Sequence, residues 1–191
     1  MEWYLDWEFP FLYWLQSLHN PVLDTIMTFI TKLGDAGLFW IGVGIVCLVL
    51  KKHRRTGLQV LLTMLVTFIV GNLILKNLFH RSRPCAIDPS IELLLPYPSE
   101  YSFPSGHTMN GYAAAFALFL NNKKIGIPAL ILATLIAFSR MYHFVHFPTD
   151  ILAGFCVGFG AAIMMNYIFD KVQARRAAKS YGCNDGICRK T

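Results

Sequence analysis

Residues 56–75 read TGLQVLLTMLVTFIVGNLIL, twenty residues without a charge. Wound as an α-helix such a run spans ~30 Å, the thickness of a bilayer's hydrocarbon core. A second run, ILAGFCVGFGAAIMMNYIF at 151–169, gives nineteen more uncharged residues. The rest of the chain agrees with them. Hydrophobic residues make up 55% and charged residues 15%, where a soluble domain carries about 25% charge, and mean hydropathy is +0.47. The expected fold is all-α, one polytopic membrane helix bundle of 191 residues with no room for a second folded unit.

Outward from these runs, five spans are expected: 36–50, 56–75, a third from the Pro104-Ser105-Gly106-His107 segment to Leu120, 125–138 and 148–169. A sixth requires that the first 35 residues contain one. That N-terminal stretch is rich in Trp, Tyr and Phe but carries Glu2, Asp6 and Glu8, so it lacks the basic start and clean apolar core of a signal peptide. Its rings suit the headgroup layer. Val22, Ile26, Met27 and Ile30 have helical spacing, whereas Asp24 and Lys32 make crossing expensive. The favoured reading is an amphipathic interfacial helix, with a tilted first span as the alternative. Residues 1–35 therefore form an aromatic interfacial segment, 36–169 the transmembrane domain and 170–191 a basic tail.

The formal net charge of +6 suggests nucleic acid only until its placement is considered. One face, with the loop at 51–55, Lys123, Lys124 and the tail after Phe169, collects twelve of the seventeen Lys and Arg residues. The other face holds Lys32, Lys76, Arg81, Arg83 and Arg140, and nine of the eleven acidic residues. By the positive-inside rule the first face, with the C-terminus, is cytoplasmic. The basic excess is then a topogenic signal, and no nucleic-acid partner is expected. The sequence carries no signal for an oligomeric state. Cys183 and Cys188 form a C-x4-C pair too sparse for a zinc site on their own.

Three polar clusters interrupt the apolar chain between Lys76 and Asp150: Lys76 with Arg83-Pro84, then Pro104-Ser105-Gly106-His107, then Ser139-Arg140 with His146 and Asp150. Between the second and third lies room for two short membrane helices joined by a turn, which leave and return to one face. The clusters thus converge on the outer surface. Singly, each has an ordinary reading: Lys and Arg snorkelling to lipid phosphates, Ser105 capping a helix, Asp150 complementing a helix dipole. Together they suit phosphate-ester chemistry. Arg offers planar, bidentate donors to equatorial phosphoryl oxygens, a helix start aims free N–H groups at an anion, and His107 can give a proton to a leaving oxygen. Asp150, four residues after His146, can hold that imidazole in the tautomer whose free nitrogen is nucleophilic.

These residues, in type, order and internal spacing, resemble the three-part signature of the type-2 phosphatidic acid phosphatase superfamily. The resemblance implies a metal-independent phosphatase with no cofactor, in which His146 attacks phosphorus, Asp150 orients it and His107 protonates the departing oxygen. Lys76, Arg83, Ser105, Gly106 and Arg140 would cradle the phosphate. The aromatic amino terminus and the run Asn20-Pro21-Val22-Leu23-Asp24 further resemble small bacterial members acting on undecaprenyl diphosphate. Phosphatidic acid and phosphatidylglycerol phosphate are the alternative substrates, in each case a membrane lipid phosphate. His80, Arg81 and His143 lie outside the signature and are expected at the interface or behind the site. The loop 85–103 either roofs a lipid entry route or packs at the interface. Two rival classes are a metal hydrolase ligated by His107, His143, His146 and Asp150, and a non-catalytic lipid-binding or transport protein.

Overall fold

The structure is a computed structural model that describes residues 2–180. It is all-helical over those residues. Two short helices come first, α1 (Glu8–Gln16) and α2 (Pro21–Lys32). A 3-10 turn at Asp35–Gly37 leads into α3 (Leu38–Val49). Next come α4 (Arg54–Thr67), continued by a π-helical stretch Phe68–Leu75, and the short α5 (Lys76–Phe79) and α6 (Pro84–Ile87). The described residues end in α7 (Gly106–Asn121), α8 (Lys123–Tyr142) and α9 (Pro148–Ser180).

Among the described residues, three helical stretches can cross a membrane by length and hydropathy: Lys51–Ile87, Lys123–Tyr142 and Pro148–Lys179. A fourth arises if α2 and α3, bent by 41° at the turn between them, act as one span. The chain is thus an integral membrane protein with three to four candidate spans. The expected third span, α7, has only 16 residues, about 24 Å of helix. It can be short because it is the axis of the bundle, packed against α4, α8 and α9. Gly111, Ala113, Ala114, Ala115 and Ala117 are all buried along it. Small residues suit this position, since helix association in lipid rests on close van der Waals approach. α9 lies especially close: a Cβ on Gly158 would sit 2.6 Å from Met109 O, and one on Gly154 2.9 Å from Ser105 O.

At one end of the bundle Arg55 pairs with Asp170 and donates to Gln173, and Gln59 bonds Asn121 and Asn166, tying α4, α7 and α9 together. At the other end α1 lies across the mouth of the bundle. Leu12 and Leu15, both fully buried, pack with Cys85, Phe144, Val145 and Phe147. Asn20 caps α2 through a 3.0 Å bond from Leu23 N, with Pro21 at its first position. Asp24, expensive in a span, is partnered here: Tyr142 Oη donates to it at 2.5 Å and His19 lies 3.2 Å away. α9 runs through residue 169 without a break, so the basic tail begins as helix. Cys183 and Cys188 lie outside the described residues.

Candidate active site

A polar cavity of about 470 Å³ opens at the end of the bundle where α1 lies. Lys76, Arg83, Gly106, His107, Arg140 and His146 line it, six of the eight residues anticipated from the sequence. Ser105 and Asp150 are fully buried just behind it. Local structure explains the convergence. The π-helical stretch ends at Lys76, and Pro84 opens α6 so that Arg83 sits in extended backbone before it. The α7 start is tied to α9 by Ser105 N donating to Asp150 O at 3.2 Å. Ser105 occupies the N-cap position, yet its side chain caps nothing. Its Oγ instead accepts from Thr108 Oγ1 at 3.0 Å.

His146 is 2% exposed and held on both ring edges. Arg83 Nη1 donates toward Nε2 at 3.0 Å and also to Val145 O at 2.9 Å. Nδ1 faces Asp150 Oδ2 at 3.4 Å. Nδ1 therefore carries the proton and Nε2 the free pair. Burial, followed by the charges of Arg83, Arg140 and Lys76, pushes the imidazole well below its ordinary pKa of 6.5, so it is neutral at pH 7.

Asp150 is held in turn. Ser102 Oγ donates to it at 2.5 Å, Phe147 N at 2.8 Å and Arg81 Nη1 at 2.5 Å. Arg81 is wholly buried. Its guanidinium lies between the rings of Trp3 and Phe147, 4.0 and 4.1 Å from their centroids, and bonds Trp3 O, Thr149 Oγ1 and Glu8 Oε2. Glu8, also wholly buried, closes the circuit through Thr149 N and Oγ1. A buried cation is tolerable only when its donors are met and its charge balanced. Here Glu8 from α1 and Asp150 from α9 supply the counter-charge, and Trp3 O and Thr149 Oγ1 take the remaining donors.

The opposite wall is looser. His107 Nε2 lies 3.0 Å from Asp35 Oδ1, with side-chain exposures of 19% and 60%. Lys76 is paired with the exposed Glu100, whose carboxyl that ammonium holds below its ordinary range. Arg140 Nη1 donates to Thr31 Oγ1 at 2.8 Å, while its Nε is buried with no hydrogen-bond partner among the described residues. The π-helical stretch contributes Asn72, whose Oδ1 is likewise buried and unpaired.

The residues set aside in the sequence separate cleanly. Arg81 belongs behind the site and points away from the cavity. His80 stacks edge-on with Tyr101, and the buried His143 packs on Tyr142 with its pKa pushed by burial to about 4; neither lines the cavity. Among the described residues no three His, Cys, Asp or Glu side chains are grouped as metal ligands, so the four-ligand constellation of the rival hydrolase does not form. The loop 85–103 does two things: Pro98, Ser99 and Glu100 wall the cavity, while Ile91 and Leu93 pack toward α1. Sequence reasoning missed Glu8, Thr31, Asp35, Glu100 and Ser102. The one signal in the sequence is the excess of acidic residues on this face, nine of the eleven.

A family profile, described as the PAP2 superfamily, matches residues 56–174, more than half of the chain. The chain belongs to the PAP2 superfamily. As a member it is a phosphatase, an enzyme that hydrolyses phosphate esters. Among relatives, the undecaprenyl-diphosphatase of Sulfolobus acidocaldarius is 32% identical over 71% of this chain and 66% of its own. Undecaprenyl-diphosphatase BcrC of Bacillus subtilis is 31% identical over 80% of this chain and 76% of its own. The crystal structure of a transmembrane PAP2-type phosphatidylglycerolphosphate phosphatase from Bacillus subtilis superposes with a TM-score of 0.69 at 28% identity, covering 84% of this chain and 83% of that one. The PAP2 match begins at residue 56, so Glu8, Thr31 and Asp35 come from outside it.

Proposed function

We propose that this PAP2 phosphatase hydrolyses a lipid diphosphate at the outer membrane surface, undecaprenyl diphosphate to undecaprenyl phosphate, through a phosphohistidine on His146. The observation that carries the reading is the ring of His146, neutral, with Nδ1 toward Asp150 and Nε2 toward Arg83 and the cavity. A phosphoryl group entering the cavity takes the Arg83 donor from Nε2 and frees the nitrogen pair for attack on phosphorus. Lys76, Arg83, Arg140 and the N–H of Gly106, which opens α7 beside Ser105, stabilise the three equatorial oxygens. The unpaired Arg140 Nε supports an anion as its partner. As the P–O bond breaks, its electron pair leaves with the lipid phosphate and His107 supplies the proton. Water then attacks the phosphohistidine, giving up a proton to His107, and inorganic phosphate departs as the P–N pair returns to His146. No metal enters this route.

The names of the two undecaprenyl-diphosphatases favour the diphosphate. The phosphatidylglycerolphosphate phosphatase structure keeps a glycerophospholipid monoester, phosphatidylglycerol phosphate or phosphatidic acid, as the second reading.

The topology proposed with this has five spans: residues 36–50 with α3, α4 with its π-helical stretch, α7, α8 and α9. The site then faces outward with the C-terminus in the cytoplasm, in line with the charge division of the loops. Residues 1–35 act as an interfacial segment, 36–169 as the catalytic bundle and 170–191 as a cytoplasmic tail.

The test is an assay of the purified protein on undecaprenyl diphosphate, phosphatidylglycerol phosphate and phosphatidic acid in excess chelator, with rapid-quench trapping of an acid-labile phosphoprotein. The diphosphate should give the highest kcat/KM, with trapping in the presence of chelator. Loss of all turnover with chelator would overturn the route. In whole cells, a cysteine introduced near Glu92 should react with an impermeant reagent; labelling only after lysis would reverse the topology.

A further inference from the structure

The two histidines of the proposed mechanism must hold opposite protonation states at the moment of attack. His146 must be neutral and His107 must carry a proton to give away, although both line one cavity with the same three cations. Something must distinguish them. Asp150, beside His146, is already bonded to Arg81, Ser102 and Phe147 N. Asp35, beside His107, has no other partner among the described residues, and its oxygen lies 3.0 Å from His107 Nε2.

The surrounding turn is shaped for this contact. A Cβ on Gly34 would stand 2.5 Å from His107 Cδ2 and 2.8 Å from Ile136 Cγ2, so the absence of a side chain there is what admits the ring. Ala36 and Gly37 follow with φ of 50° and 69°. A left-handed alanine is unfavourable, and it persists where the surroundings over-determine it. The charged or titratable groups around His107 are Asp35 on the turn, Arg140 on α8, Arg83 before α6, Lys76 on α5, Glu100 on the loop and His146 before α9. The cations oppose an imidazolium. Asp35 is the carboxylate that touches the ring.

We propose that Asp35 is a positioning residue for the acid step, resting on the phosphohistidine reading above: it holds protonated His107 by Nε2–H and leaves Nδ1–H to protonate the departing oxygen. As the P–O bond breaks, the proton moves from Nδ1 to that oxygen. His107 is then neutral, still bound to Asp35 through Nε2–H, and its Nδ1 pair accepts a proton from the water that attacks the phosphohistidine. The carboxylate thus serves both half-reactions and touches neither substrate nor phosphorus. It lies outside the span of the PAP2 match, on the turn between α2 and α3.

The experiment compares full-length wild type, Asp35→Asn and Asp35→Glu on an alkyl phosphate, which needs its leaving oxygen protonated, and on p-nitrophenyl phosphate, which barely does. Asp35→Asn should lower kcat by about 10- to 100-fold on the alkyl ester and less than about 3-fold on the aryl ester. The alkaline limb of its pH profile should move to lower pH, because His107 surrenders its proton sooner. Asp35→Glu should recover most of the loss. Equal losses on both esters, an unshifted alkaline limb or no loss would overturn the role while a trapped phosphohistidine in wild type left the covalent route standing. Failure to trap any phosphohistidine in wild type would overturn the route and this role together.

Discussion

The two walls of the cavity are built on different principles. Around His146 every polar group is buried and bonded: Arg83 on one ring edge, Asp150 on the other, and behind them Arg81, Glu8, Ser102 and Thr149. Around His107 a single exposed carboxylate makes the contact, and an exposed glutamate pairs with Lys76. A nucleophile must be held in one tautomer and one direction, which a closed network provides. An acid that must take and return a proton needs access to water and a charge that helps without locking it. The difference teaches that the same residue type is tuned here by what lies behind it, since the three cations in front are shared.

The sharpest way to break this comparison is to remove the nucleophile. His146→Ala should reduce turnover by about 10⁴-fold or more on every substrate and leave no acid-labile phosphoprotein; residual trapping would place the covalent bond elsewhere. Next in size is the buried network. Arg81→Ala strands two carboxylates in the protein interior and should cost about 3–5 kcal/mol of stability, read as a lowered midpoint of thermal unfolding in detergent. An unchanged midpoint would mean that the network is not closed. Asp150→Asn should leave the protein folded yet slow it by ~10²- to 10⁴-fold, since Asn can hold the ring but cannot stabilise the charge that forms as Nε2 bonds phosphorus.

On the looser wall the effects should be smaller and substrate-dependent. His107→Ala should cost ~10²- to 10⁴-fold on a lipid phosphate but far less on p-nitrophenyl phosphate, whose leaving group is a weak base; equal losses would remove its assignment as the acid. The acid limb of the pH profile sharpens the contrast further. His146 has a depressed pKa in the folded protein, so it stays unprotonated as the pH falls through 6.5 and is lost as a nucleophile only well below that. An acid limb centred on 6.5 or above would show that burial does not tune it.

The sequence by itself determined the material of both walls. Charge-free runs of twenty and nineteen residues allow only helices that seek lipid, and Lys76, Arg83, His107, Arg140, His146 and Asp150 are too costly in such surroundings to lack a purpose. Spacing along the chain was enough to bring them to one face, because the two helices between His107 and Arg140 must return where they started. What only the tertiary structure decided is which groups stand behind them. Glu8 lies 73 positions from Arg81, Asp35 is 72 from His107 and Thr31 is 109 from Arg140. No periodicity or motif links positions so far apart, and in the sequence these residues read as surface charges and a helix end. Their roles arise when α1 packs across the bundle mouth through Leu12 and Leu15, and when the 41° bend after α2 turns Asp35 toward α7. For Glu8, which is wholly buried, the physical reason is that a group removed from water must find its partner within the protein; for the exposed Asp35 it is proximity alone.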